Sequence, residues 1–118
     1  MIKGIGIDLI ETSRFSKASE DFLEQIFNIQ EIKSVKNNSL LLSIKFALKE
    51  SILKALGKGL YFGFFWHNIQ LKNDKINISG PLRQNLPERR SIHTGTGNSK
   101  KYACAIAIIE HNIKQEVA

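Results

Sequence analysis

The chain has a single cysteine, Cys104, among its 118 residues, so no intrachain disulfide can staple the fold. No apolar run approaches the roughly 20 residues needed to cross a bilayer as a helix. The N-terminus does not read as a signal peptide, because Asp8 and Glu11 interrupt its apolar stretch and no small-residue cleavage pattern follows. These absences set expectations of a cytoplasmic protein with no membrane partner. Cys104 lies inside the apolar run 102–109, which predicts a buried, inert thiol. A concentrated Lys/Arg stripe interleaved with exposed aromatic residues is also missing, which argues against a nucleic-acid partner. There is no internal repeat and no low-complexity segment.

What is present suits one ordinary globular domain spanning residues 1–118. A domain of this size can bury a core but has little surface to spare for a deep cleft of its own. A site shared between subunits is therefore considered from the outset. Lys and Arg number 17 against 11 Asp and Glu, and the resulting charge of +6 implies an anionic partner. Charge alone does not choose between a phosphorylated cofactor, an acidic protein and nucleic acid.

Residues 2–10 alternate as a strand, with Ile5, Ile7 and Leu9 on one face and Gly4, Gly6 and Asp8 on the other. The glycines either leave room for a ligand beside Asp8 or let a helix pack close; the segment alone leaves both open. Residues 19–27 predict a short amphipathic helix capped by Ser19, with Phe22, Ile26 and Ile29 inward and Glu20, Asp21 and Glu24 outward. A second helical stretch spans 30–36. The strongest element is a helix over 40–56 ending at Gly57 in the C′ position. It is apolar around most of its circumference, which predicts burial, and its polar stripe is built from Ser43, Glu50 and Lys54 with Ala47 beside them. A glycine- and aromatic-rich connection (58–66) leads to a hairpin in which Ile69 and Leu71 alternate, Asn73 and Asp74 turn, and Ile76 and Ile78 alternate again. Pro81 ends it. A segment with Arg83, Arg89 and Arg90 leads to a loop over 91–99. The apolar run 102–110 fits the middle of a sheet, and the last residues read as a polar tail. The elements add up to an α+β fold, an antiparallel-rich sheet packed on a long buried helix.

Two carboxylates stand out, Asp8 on the glycine-bearing strand face and Glu50 on the buried helix. A carboxylate on a buried helix needs a partner. If the helix crosses the strand, the pair can hold Mg²⁺, which takes one or two protein carboxylates and completes its shell with waters and phosphate oxygens. Lys54, one turn beyond Glu50, could then meet a phosphate as a point charge. The plain alternative is a surface Glu50–Lys54 ion pair at i, i+4. Residues 93–99, His-Thr-Gly-Thr-Gly-Asn-Ser, can present backbone N–H groups to a phosphate, but no Gly-Lys-Ser/Thr follows as in a Walker loop.

The order of segments resembles the holo-(acyl-carrier-protein) synthase family of 4′-phosphopantetheinyl transferases. Residues 4–11, Gly-Ile-Gly-Ile-Asp-Leu-Ile-Glu, with Arg14 after them, are similar to the family's opening Gly-Ile-Asp motif. Residues 46–57, Phe-Ala-Leu-Lys-Glu-Ser-Ile-Leu-Lys-Ala-Leu-Gly, resemble its Phe-Ala-x-Lys-Glu-Ala-x-x-Lys-Ala-x-Gly helix. Residues 66–71 and the last apolar run resemble its later strands. The resemblance implies the family's fold and the transfer of phosphopantetheine from coenzyme A to a serine of an apo-acyl-carrier protein for fatty acid biosynthesis. It implies that Asp8 and Glu50 hold Mg²⁺ and act in catalysis with Lys54. Lys45, Phe46, Lys49, Lys54, Gly57, His93, Thr94 and Gly95 would line the coenzyme A site, and Arg14 would meet the acidic carrier protein. It further implies a homotrimer with coenzyme A bound between neighbouring subunits.

Two departures qualify the match. The family's His-x-Ser-x-Ser/Thr-His becomes His93-Thr94-Gly95-Thr96-Gly97-Asn98, and Lys45 stands where arginine is common, without bidentate phosphate geometry. The loop departure motivates a second reading, a weakened relative that binds coenzyme A or the carrier without efficient transfer, against which the retained Asp8, Glu50 and Lys54 argue.

Overall fold

The computed structural model describes residues 1–35, 37–57, 65–73 and 75–112. Strand β1 (Ile2–Glu11) follows the alternation of its sequence and leads into a 3-10 turn, Thr12–Phe15. Short helices α1 (Glu20–Ile26) and α2 (Ile29–Val35) precede the long helix α3 (Ser39–Ala55). A 3-10 turn (Trp66–Asn68) opens the antiparallel hairpin of β2 (Ile69–Lys72) and β3 (Lys75–Ile78). Another 3-10 turn (Gly80–Asn85) contains Pro81, and β4 (Arg90–Asn98) and β5 (Tyr102–His111) complete the order. The main sheet runs β1-β5-β4, antiparallel throughout, with the apolar β5 in the centre as its sequence predicts.

Register divides this sheet into two faces. Gly4, Gly6 and Asp8 of β1 lie opposite Ile109, Ala107 and Ala105 of β5, and Ile92, Thr94 and Thr96 of β4 lie opposite the same three residues. This face is covered by α3. A Cβ added at Gly6 would lie 1.9 Å from the Ser51 carbonyl oxygen, and one at Gly4 only 1.8 Å from that of Ala55. Of the two readings of these glycines, close packing is the one the geometry bears out. The other face carries Ile5, Ile7, Leu9, Cys104 and Ile106 and is open; Leu9 is 67% exposed. The expectation of a buried Cys104 is thus overturned. A strand alternates its side chains between faces, and among the described residues only one face of β5 has a layer on it.

Helix α3 is the spine. The Asn38 side chain caps it by accepting from the Leu41 N–H, and Gly57 (φ +75°) ends it. Ser43, expected on its polar stripe, and Ala47 beside the stripe are fully buried, and the Ser43 hydroxyl donates within the helix to the Ser39 carbonyl. Leu23 and Ile26 turn inward from α1 beneath the Ser19 cap, whereas Ile29, expected inward, begins α2 and is 62% exposed.

Residues 91–98, expected as a loop, form the edge strand β4. The central strand β5 must pair its backbone polar groups on both sides, and the small residues of β4 fit there against Cys104 and Ile106. The hairpin turns at Asn73 (φ +53°), while Asp74, most of the 58–66 connection and the C-terminal tail lie outside the described residues.

Candidate active site

Packing of α3 across β1 brings Asp8, Glu50 and Lys54 together. The Lys54 ammonium donates to Asp8 Oδ1 at 2.9 Å and to the Ile7 carbonyl at 3.0 Å. Lys54 therefore pairs across to the strand and not along its own helix. Glu50 Oε1 accepts from the Trp66 indole N–H at 2.6 Å. Burial pushes the Glu50 carboxyl above the usual range, against the Trp66 hydrogen bond; the Asp8 charge raises it further, and Lys54 and Arg14 oppose the rise. Two carboxylates close enough to repel, one of them half-buried, form an oxygen donor set of the kind Mg²⁺ favours.

A second cluster lies across the helix. Lys45, Thr94 and Gly95 line a cavity of about 350 Å³ with Lys75, Ile76 and Thr96, between α3, the hairpin and β4. At about 100° per residue, Lys45 and its cavity neighbours Leu41 and Leu48 sit roughly 140–180° around α3 from Glu50. The two halves of the expected site are thus separated by the helix within one chain. The side chains missing at Gly95 and Gly97 would point to the outer face, 3.4 Å from Ile106 and 3.3 Å from Cys104. The departures from the family pattern there leave Thr94 and Thr96, the cavity's hydroxyls, in place.

The remaining expected residues fare differently. Phe46 is buried in an aromatic cluster, its ring centroid 5.4 Å from Phe15 and 5.7 Å from Trp66, with the exposed Arg14 guanidinium 5.4 Å above it. His93 is exposed on β4, 3.3 Å from Glu110. Gly57 ends α3 three residues past Lys54, where the positive φ accounts for its identity.

Lys49 must be corrected. It is fully buried, and its three ammonium donors go to the Ile26 carbonyl (2.9 Å), Glu31 Oε1 (2.8 Å) and the Trp66 carbonyl (3.2 Å). Burial pulls its pKa down, against the pull of Glu31. Position 49 lies about 100° around the helix from Glu50, facing α1 and α2, so Lys49 belongs to the interior and not to a coenzyme A site.

Sequence reasoning missed Glu31, Lys75 and the role of Trp66. One signal was available, since Asn28 followed three residues later by Glu31 is a capping-box pattern. Each side chain indeed accepts from the other's backbone N–H, at 2.8 and 2.9 Å. That the same carboxylate also accepts from the Leu71 N–H and pairs with Lys49 is a tertiary fact.

With this geometry in view, comparison with known proteins defines the class first. Residues 4–107 match the sequence model of the 4′-phosphopantetheinyl transferase superfamily. A holo-(acyl-carrier-protein) synthase of Treponema denticola is 37% identical, the alignment covering 93% of this chain and 99% of the relative. One from a Geobacter species is also 37% identical, covering 92% and 97%. The solved holo-(acyl-carrier-protein) synthase of Bacillus anthracis, in complex with coenzyme A (3′,5′-ADP), superposes with a TM-score of 0.76 at 28% identity over 95% of this chain and 99% of that one. The chain belongs to the holo-(acyl-carrier-protein) synthase family, with the α+β fold expected from its sequence.

Proposed function

We propose that this protein transfers 4′-phosphopantetheine from coenzyme A to a serine of an apo-acyl-carrier protein, with Mg²⁺ held by Asp8 and Glu50. The observation that carries the reading is the meeting of Asp8, Glu50 and Lys54 where α3 crosses β1, in a chain of this family. The serine hydroxyl gives up its proton to solvent as its oxygen attacks the β-phosphorus of coenzyme A, a P–O–P bond breaks, and 3′,5′-ADP leaves with the electron pair. The metal, when bound, stabilises charge on the transferring phosphate. Lys54 pairs with Asp8 in this structure, and its side chain is exposed enough (42%) for the ammonium to turn toward a phosphate. Lys45, Lys75 and the Thr94 and Thr96 hydroxyls offer charge and hydrogen bonds for the nucleotide's remaining anionic groups. Arg14 and the net positive charge suit an acidic carrier.

The same reading includes a homotrimer with shared sites. Two observations support it. The outer sheet face is apolar and open, and the carboxylate cluster and the cavity lie on opposite sides of α3, so one ligand touching both requires two chains. Leu9→Glu is expected to convert the trimer to monomers in sedimentation velocity and to lower transfer, because an unpaired buried carboxylate costs roughly 3 kcal/mol or more. A trimer that survives this change would place the interface elsewhere.

The direct test is a mass-spectrometric transfer assay with coenzyme A and the host's apo-carrier protein. The expected result is a Mg²⁺-dependent gain of one phosphopantetheine on the carrier, abolished by chelator. No gain, with another family member active in parallel, would leave a protein that binds without transferring.

A further inference from the structure

The Glu50 carboxylate does not hold its own position. Its side chain has three rotatable bonds, and the one hydrogen bond it makes among the described residues is to the Trp66 indole N–H. At 2.6 Å that bond is short even for a charge-assisted N–H···O contact. Trp66 in turn is the last residue of the 58–66 connection, and no long helix or sheet ladder contains it. Its contacts include two with α3 besides the Glu50 bond. Its ring packs edge-on against Phe46, one helical turn before Glu50, and its carbonyl accepts from the buried Lys49 ammonium.

Lys49 is anchored from behind. Glu31 pairs with it at 2.8 Å, accepts from the Asn28 and Leu71 N–H groups, and so ties the start of α2 and strand β2 to the same ammonium. No buried polar side-chain atom among the described residues is left without a partner. A chain of bonds therefore runs from the core to the site: Glu31 to Lys49, Lys49 to the Trp66 carbonyl, and the Trp66 indole to Glu50. A core-only role explains the first link and leaves the last unexplained.

We infer that Trp66 is a positioning residue for Glu50, and that the buried Lys49–Glu31 pair sets Trp66 in place to perform that role. The inference rests on the reading of Asp8 and Glu50 as the metal-binding pair. Holding one carboxylate oxygen on the indole fixes the plane of the other before a cation arrives. Losing an outer partner of a metal ligand typically weakens metal affinity about 10–100-fold.

The test uses Mn²⁺ as the probe, titrated into the full chain with coenzyme A present and followed by electron paramagnetic resonance. Trp66→Phe keeps an aromatic ring against Phe46 and removes the indole N–H together with part of the ring's packing volume. It is expected to raise the Mn²⁺ dissociation constant about tenfold or more while the protein stays folded with a modestly lowered melting temperature, and to retain most of kcat at saturating metal. Trp66 is the only tryptophan, so wild-type emission should also change on Mn²⁺ addition and not in Glu50→Ala. Lys49→Met, if folded, should weaken Mn²⁺ binding in the same direction. Unchanged Mn²⁺ affinity in Trp66→Phe, with binding still lost in Glu50→Gln, overturns the inference and leaves the metal site standing. Unchanged affinity in Glu50→Gln and Asp8→Asn as well would overturn the metal site itself.

Discussion

Asp8→Asn and Glu50→Gln, each made alone, are expected to lower transfer about a thousandfold or more while the protein stays folded, since each removes one of the two anionic ligands that would hold Mg²⁺ against the reacting phosphate. Neither change alters side-chain volume much. The amide oxygen that Glu50→Gln introduces can still accept from the Trp66 indole, and the one from Asp8→Asn can still accept from Lys54, so the local scaffold persists. The loss of Glu50 is not expected to destabilise the fold. Burial and the Asp8 charge already disfavour its ionised form, so a neutral side chain suits the position. Transfer rates and melting temperature measured on the same preparations check both halves of the prediction. Wild-type turnover in either variant would remove the carboxylate pair as the metal site.

The second large effect concerns stability. Gly6→Ala is expected to destabilise the fold by about 3 kcal/mol or more, the upper range for overpacking, and to lower the melting temperature by roughly 10 °C or more. The added Cβ meets the Ser51 carbonyl oxygen at 1.9 Å and the Ala55 nitrogen at 2.8 Å. Both are backbone atoms of α3, so relief requires the helix to lift from the strand. The movement would also draw Lys54 and Glu50 away from Asp8, so activity should fall along with stability. Gly57→Ala makes a useful contrast. Among the described residues nothing lies within 4 Å of a Cβ there, so the positive φ is the penalty expected, at about 1 kcal/mol. Thermal or urea unfolding of the two variants side by side separates steric exclusion from backbone strain.

The site was partly legible because its two carboxylates stand out against their surroundings. Asp8 interrupts a strand face otherwise cleared by glycines, and Glu50 interrupts an apolar helix. Lys49 shows the limit of this reasoning. A lysine beside Glu50 in a matched motif was assigned to the ligand, yet one position along a helix is about 100° of rotation, enough to send its ammonium into the core. Cys104 failed for a related reason. An apolar strand reads as buried on both faces, and the outer face of β5 has no covering layer among the described residues.

The sequence by itself determined the α+β fold, the central place of β5, the end of α3 at Gly57, and the two carboxylates with Lys54 near them. All of these rest on local information: side-chain period, caps, and the contrast of one charged residue with apolar neighbours. Only the tertiary structure decided that Lys54 answers Asp8, that Glu50 answers Trp66, that Glu31 and Lys49 are joined in the interior, and that Lys45 and Thr94 open on the far side of α3. These depend on distances between residues far apart in the chain, fixed by the near-contact of β1 and α3 at Gly4 and Gly6. Helix and strand periods say which residues share a face, but not what that face will meet.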